Sequence, residues 1–263
     1  MRRGSLRAVS LIRREARDDH LVLTLDNARG NAMNPALIDE LLGAAREATA
    51  DDSVRGVLMA SAKPKLFCPG LDLVELSKLD RPAMRGFMLR FADAMWTFFA
   101  LPKPVVAAVS GHAIAGGCIL ALTADWRVLA PGAQIGLNEV KIGVPLPWSV
   151  ALLLRYSVAP SAYSRVALLG RNFEGEEALR AGLADELAAP EGFLDACLQR
   201  LAEFTEKDLH AFRRTKAYLR GDTITAMRAR EAELLDDWLD GWFAPSTRER
   251  IRATVKALSR KAQ

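Results

Sequence analysis

The sequence predicts an α/β chain whose last third is mainly helical. Three observations carry that expectation: short apolar runs at Val57 to Met59, Val105 to Val109 and Trp126 to Leu129; helical spacing between them; and a change after Pro147 to helical stretches alone. Upstream of these runs, Val9 to Ile12 and the alternation Leu21, Leu23, Leu25 read as two strands of a hairpin around the polar turn ARDD. Asn34 is a good N-cap, Pro35 stands at the first helical position, and Leu37, Ile38, Leu41, Leu42 and Ala45 recur at helical spacing to about Thr49. After Met59 come the loop SAKPKLFCPG and helical spacing from about Asp72 to Ala100. The C-terminal third is punctuated at Pro160, Gly170, Gly175, Pro190, Gly221 and Pro245. Its helix from Thr223 to Phe243 places Leu234, Leu235, Trp238, Leu239 and Trp242 on one face. Such a stripe has to be covered, by the chain's own core, by another subunit or by a ligand.

Composition narrows the function classes. The chain has 263 residues, 50% hydrophobic and 26% charged, which excludes disordered and collagen-like classes. The 36 basic and 32 acidic side chains leave +4, with the excess at the two ends: six Arg against three acids in residues 1–20, and six Arg or Lys against Glu249 in residues 245–263. A small anionic ligand fits that balance better than a nucleic acid, and no aromatic-interleaved basic stripe suggests a specific nucleic-acid partner. Cys68, Cys118 and Cys197 are too scattered for a disulfide framework or a metal site, so a reducing, cytoplasmic setting is expected. His20, His112 and His210 are too few for a His-rich metal centre, and GxSxG, P-loop and GxGxxG patterns are absent. The N-terminus lacks the apolar core of a secretory signal, and only its first seven residues have the acid-free, Arg-rich character of a transit peptide. Pro104 to Ala124 is uncharged, but Ser110, Gly111 and His112 break it, so strand, turn and helix start is preferred to a membrane span.

Two loops each put Gly after a buried strand and before a helix: Phe67-Cys68-Pro69-Gly70-Leu71-Asp72 and Ser110-Gly111-His112-Ala113-Ile114-Ala115-Gly116-Gly117. That arrangement frees backbone N–H groups to meet a developing negative charge, although either loop alone also reads as a turn, with Asp72 as a helix N-cap. In the segment QIGLNEVKIGVP, Glu139 is the sole carboxylate of a largely apolar stretch. Burial there would raise its pKa and make it a base suited to a carbon-bound proton; the alternative is an exposed Glu paired with Lys141. Asp125, at the end of an apolar helix, reads as a buried carboxylate that satisfies backbone donors.

Taken together and in this order, the segments SLIRREARDDHLVLTLDNARGNAMN, VRGVLMASAKPKLFCPGLDLVEL, KPVVAAVSGHAIAGGCILALTADWRVLA and AQIGLNEVKIGVP resemble the crotonase superfamily, the enoyl-CoA hydratase and isomerase family. The resemblance implies a crotonase-like spiral of ββα units over residues 8–195, a helical oligomerisation region over 196–263, and a homotrimer or hexamer. It implies an acyl-CoA thioester whose oxygen is held by the backbone N–H groups of Leu71 and Gly116. Hydratases of the family use two glutamates to hold water; here Glu139 matches the second and Ile119 stands at the first. The resemblance therefore points to a Δ3-Δ2-enoyl-CoA isomerase of fatty acid β-oxidation, with Glu139 carrying a proton from C2 to C4. The alternatives are a hydratase or decarboxylase of the same fold, or a non-catalytic acyl-CoA-binding subunit. Arg29, Ala32, Cys68, Gly70, Asp72, Leu73 and Trp148 are implied to lie along the substrate, and Lys256 or Arg260 at the CoA phosphates. Met88, Trp96, Phe98 and Trp148 are candidates for the acyl-tail pocket. No metal and no cofactor beyond the substrate's own coenzyme A is implied.

Overall fold

The computed structural model describes residues 10–261. The boundary at residue 8 and Val9 lie outside the described residues, and the first strand, expected over Val9 to Ile12, begins only at Ile12, Ser10 and Leu11 being outside it. Strand β1 (Ile12–Arg17) pairs antiparallel with β2 (His20–Leu25), in register from Ile12 opposite Leu25 to Arg17 opposite His20. The turn is therefore shorter than ARDD, because Ala16 and Arg17 still pair, and Asp18 turns the corner at φ 54°. Helix α1 (Pro35–Ala50) starts as the sequence predicts: Asn34 Oδ1 accepts from the Leu37 N–H at 3.0 Å, and Leu37, Ile38, Leu41 and Leu42 are buried. Its far end is capped by a buried cation, since Lys103 Nζ donates to the carbonyls of Ala48 at 2.6 Å and Asp51 at 2.5 Å.

From β3 (Gly56–Ser61) onward each turn of the chain gives one strand to each of two sheets. β3, β5 (Val105–Val109), β7 (Trp126–Leu129) and β9 (Glu186–Leu187) extend the β1-β2 hairpin into a six-stranded sheet, parallel apart from that hairpin. β4 (Leu66–Cys68), β6 (His112–Ile114) and β8 (Ile135–Gly136) make a smaller parallel sheet. This is the spiral of ββα units implied by the resemblance. β3 and β5 are continuous apolar runs because sheet strands covered on both faces leave no polar side.

The region expected as one helical stretch from Asp72 to Ala100 is two helices, α2 (Leu73–Leu76) and α3 (Arg81–Phe99). Asp80 accepts from the Ala83 N–H and Pro82 follows, so a new cap restarts the helix there. Helix α4 (Gly116–Leu122) follows β6, a turn of 3-10 helix covers Glu139–Ile142, and α5 (Trp148–Ser157), α6 (Gly175–Ala181) and α7 (Phe193–Thr205) complete the core. The expected domain boundary between residues 195 and 196 falls inside α7.

Helix α8 runs from Leu209 to Phe243, far longer than the expected Thr223 start, and Gly221 lies inside it without breaking it. Anchors in the turn just before Gly221 explain why. Lys216 and Arg220, both buried, meet Asp125 at 2.6 and 2.9 Å. Arg220 also donates to the carbonyls of Phe99 and Thr123 at the ends of α3 and α4, and stacks on the Phe99 ring. Asp125 accepts from the Val105 N–H at 2.8 Å, as expected of a buried carboxylate. Burial pushes the Lys216 amine down to about 8, against the opposing pull of Asp125. The roughly 1 kcal/mol helix cost of Gly221 is small beside such anchoring. The last helix, α9 (Pro245–Lys261), packs against α8, α2 and the 3-10 turn that begins at Glu139. No described helix is long and apolar enough to cross a membrane, and the Pro104 to Ala124 stretch is β5, β6 and α4.

Candidate active site

The spiral brings the two glycine loops edge to edge. Met33 N–H donates to Gly70 O at 2.8 Å and Asp72 N–H donates to Met33 O at 2.9 Å, a parallel bridge that brackets Leu71. In such a bridge the bracketed residue turns its own N–H to the other side. Neither the Leu71 nor the Gly116 N–H has a protein acceptor among the described residues. Gly70 makes the turn at φ 99°, a conformation open to glycine, and its Cα lies so near Gly116 that a Cβ there would stand 3.0 Å from the Gly116 nitrogen.

Gly116 opens α4 and follows Ala115, which holds φ 52° and ψ −121° without a glycine's freedom. A non-glycine residue in that region costs on the order of 1–3 kcal/mol and persists where its surroundings over-determine it. Here the Ala115 N–H is tied to Gly136 O at 2.8 Å, so β8 holds the strained residue in place. The outcome is a first helical turn that starts against the Gly70-Leu71 loop, with the Gly116 N–H left without a partner in the described protein.

A cavity of about 610 Å³ opens against both loops, and Leu71, Gly116 and Glu139 all line it. Glu139 begins the 3-10 turn after β8. It forms no ion pair among the described residues, so the alternative pairing with Lys141 is absent. Its Oε2 is buried with no hydrogen-bond partner, and burial pushes the carboxyl up to about 7, with its own backbone N–H the lesser, opposing influence. Ile119, one turn into α4, faces the same cavity as a buried apolar side chain.

Of the other residues predicted to touch substrate, Arg29, Ala32, Asp72 and Leu73 line the cavity. Arg29 is half exposed and its Nη1 is 2.7 Å from Oδ2 of the buried Asp72, which also caps α2 at the Glu75 N–H. Asp72 thus fulfils both the cap reading and the site reading. Cys68 and Gly70 do not line the cavity; they shape its edge. Cys68 Sγ contacts Asn31 O at 3.1 Å and accepts from the Gly70 N–H at 3.4 Å, and burial pushes the thiol up to about 12.

Trp148 is a correction. It is not part of the cavity wall, because its indole Nε1 donates to Ala226 O at 3.0 Å and the Arg230 guanidinium covers its ring. Lys256 is likewise off the wall: Thr254, Leu258 and Ser259 are the α9 residues that line the cavity, and the 3.6-residue period turns Lys256 to solvent. Arg260 is also exposed and off the wall. Of the tail-pocket candidates Met88 lines the cavity, whereas Trp96 and Phe98 pack elsewhere.

Sequence reasoning left the far wall open. It is built by Phe91 of α3 and by Trp238 and Trp242 of α8, whose rings stack at 5.4 Å. Trp238 Nε1 donates to Pro145 O at 2.9 Å, which fixes that wall to the segment carrying Glu139. The signal was the C-terminal apolar stripe, for which a ligand wall was one of three open readings. Among the described residues no group of His, Cys, Asp and Glu has the arrangement to hold a metal ion.

Comparison with known proteins gives the family and the fold. A family model described as enoyl-CoA hydratase/isomerase matches residues 17–239. Human mitochondrial enoyl-CoA delta isomerase 1 is 30% identical over 208 residues, which span 78% of this chain and 69% of that protein. A probable enoyl-CoA hydratase of Mycobacterium tuberculosis is 33% identical over 197 residues, or 74% of this chain and 75% of that one. Among solved structures, human mitochondrial delta3-delta2-enoyl-CoA isomerase superposes with a TM-score of 0.92 at 25% identity, covering 96% of this chain and 100% of that one. The matched segment spans both glycine loops, Glu139 and most of α8, and the chain belongs to the enoyl-CoA hydratase/isomerase family, with its crotonase fold.

Proposed function

We propose that the protein is a Δ3-Δ2-enoyl-CoA isomerase. The observation that carries this reading is the half-buried Glu139, whose Oε2 is buried and has no hydrogen-bond partner, in a cavity where the position of a second acid is the apolar Ile119. The thioester oxygen sits between the Leu71 and Gly116 N–H groups. Glu139 removes a proton from C2 of a 3-enoyl-CoA, and the electron pair of that C–H bond delocalises over C2, C3 and C4 and onto the thioester oxygen. The two donors stabilise this dienolate, roughly 3–4 kcal/mol for one donor. The protonated Glu139 then delivers the proton to C4, leaving the double bond between C2 and C3. One group acts as base and then acid, which suits a pKa near the working pH.

Hydration needs a water molecule held and deprotonated on the same face. Ile119 offers neither a hydrogen bond nor a base there. The reaction needs no cofactor beyond the coenzyme A of the substrate. Incubation with 3-hexenoyl-CoA is expected to give 2-hexenoyl-CoA of unchanged mass; 3-hexenoyl-CoA left unconverted while 2-hexenoyl-CoA gains one water, or while a malonyl-type acyl-CoA loses carbon dioxide, rejects the isomerase reading. Retention of the C2 hydrogen of bound acyl-CoA in heavy water points instead to a binding subunit.

Arg29 stands at the cavity mouth with its charge half exposed, positioned for a CoA phosphate. Arg29→Ala is expected to raise KM about fivefold with kcat within about twofold, the pattern of an interaction equal in ground and transition states. Steady-state kinetics on 3-hexenoyl-CoA checks it. The homotrimer or hexamer expected of this reading has exposed apolar surface available at Leu168, Leu169, Tyr218 and Leu219, and light scattering measures the assembly.

A further inference from the structure

We propose that Asn31 is a positioning residue that sets where the Leu71 N–H points; this rests on the isomerase reading of the same site. Asn31 is fully buried in the turn between β2 and α1, at φ 64°. Its amide is completely used. Oδ1 accepts from the Asn27 N–H at 2.9 Å, closing its own turn, while Nδ2 donates to Ser61 Oγ at 2.8 Å and to Phe67 O at 2.9 Å. Ser61 passes the restraint on, because its hydroxyl donates to Leu66 O at 2.6 Å. The Asn31 carbonyl contacts Cys68 Sγ at 3.1 Å. One side chain therefore holds Leu66 and Phe67 of β4, and its backbone holds Cys68, the three residues that lead into Pro69-Gly70-Leu71.

Two residues further on, Met33 makes the bridge that brackets Leu71. The 27–33 turn thus grips the loop on both sides of the donor: through Asn31 at β4 before it, and through Met33 at Gly70 and Asp72 around it. On the opposite face α4 presses so closely that a Cβ on Gly117 would stand 2.0 Å from Cys68 O. With α4 fixed on one side, the Asn31 amide determines how far β4 stands from the turn on the other. Asn31 touches neither the cavity nor the substrate position. It acts through the geometry of Leu71.

Asn31→Gly removes the whole amide without straining the positive φ, and Asn31→Asp separates the grip on β4 from the turn itself, since its carboxylate keeps the acceptor for the Asn27 N–H. Displacing a reacting group by about 1 Å costs about 10²-fold in rate. The expected result is a fall in kcat on 3-hexenoyl-CoA of about 10²-fold with KM within about threefold, because neither substitution removes a side chain that lines the cavity. Asn31→Asp is expected to match it, as a carboxylate cannot donate to Phe67 O and Ser61 Oγ. Asp208→Ala is the control for stability alone: it removes the exposed α8 cap at the Ala211 N–H, outside both the cavity wall and the 27–33 turn, and is expected to lower Tm with kcat unchanged. An Asn31→Gly enzyme with kcat within threefold of wild type, or one whose kcat loss equals that of Asp208→Ala at equal loss of Tm, overturns the proposal. Wild-type protein that leaves 3-hexenoyl-CoA unconverted overturns the isomerase reading instead, so the two failures are distinct.

Discussion

Glu139→Gln is expected to abolish most turnover of 3-hexenoyl-CoA, with kcat falling toward the upper end of the roughly 10²- to 10⁴-fold range of general acid–base catalysis. The upper end is expected because the same carboxyl first takes the proton and then returns it, and the amide does neither. KM should move little, since the variant keeps the shape of the cavity and both backbone donors. The pH profile follows from the carboxyl being held near 7: the charged form is the base, so kcat/KM of the wild type should rise with pH through about 7 and level off above it. Activity retained at full strength in the variant would remove Glu139 from the reaction.

The same shift has a consequence for stability. The folded-state pKa lies above the ordinary value of 4.5, so folded protein keeps a proton that unfolded chain has lost between about 4.5 and 7. The contribution of this group is fully present below 4.5 and lost as pH rises through 7. At pH 8 the wild type should therefore be less stable than Glu139→Gln by up to about 3 kcal/mol, and at pH 4 the two should coincide. Urea denaturation at the two pH values measures the difference. A carboxylate that served only packing would show no such opposition between activity and stability.

What was legible in the sequence follows the range of the interactions involved. The α1 cap and the buried strand runs at Val57 and Val105 are local: each is written in a few consecutive residues and forms where the sequence places it, whereas the two segments read as glycine loops each also give a strand, β4 and β6, to the smaller sheet, whose partners lie far off in the chain. The charge state of Glu139 is not local. Its neighbours allow either a buried base or a Lys141 pair, and the cavity against α3, α8 and α9 decides between them. Gly221 reads as a breaker because its own propensity is poor, whereas the anchors that keep α8 continuous there, Asp125, Phe99 and Thr123, lie about 100 residues earlier in the chain. Trp148 looks like a pocket residue from its place beside VPLP, but a carbonyl of α8, at Ala226, takes its indole N–H and turns it away. Trp238 and Trp242 show the converse: their shared face was visible, and what covers it was not.

The second large effect concerns a residue with no side chain. Gly117→Ala is expected to cost more than about 3 kcal/mol of stability, beyond the usual range for an overpacked site, and to lower kcat by about 10²-fold in whatever fraction folds. The reason is the nature of the obstruction. A Cβ at Gly117 would lie 2.0 Å from Cys68 O, 2.7 Å from its carbonyl carbon and 2.8 Å from its Cβ, all on a buried strand that the Asn31 and Ser61 bonds hold from behind. No rotamer change can relieve the contact, so α4 has to separate from β4, and with them the Gly116 and Leu71 donors. Gly116→Ala is the comparison. Its Cβ would meet Met33 Sδ at 3.1 Å and Gly70 Cα at 3.2 Å, a tight fit in which the flexible thioether can give. That variant should lose about 1 kcal/mol. Urea midpoints rank the two, and equal midpoints would show that α4 and β4 are not in contact as described. Alanine is the better helix former by about 1 kcal/mol, so any measured loss at Gly117 understates the clash by that amount.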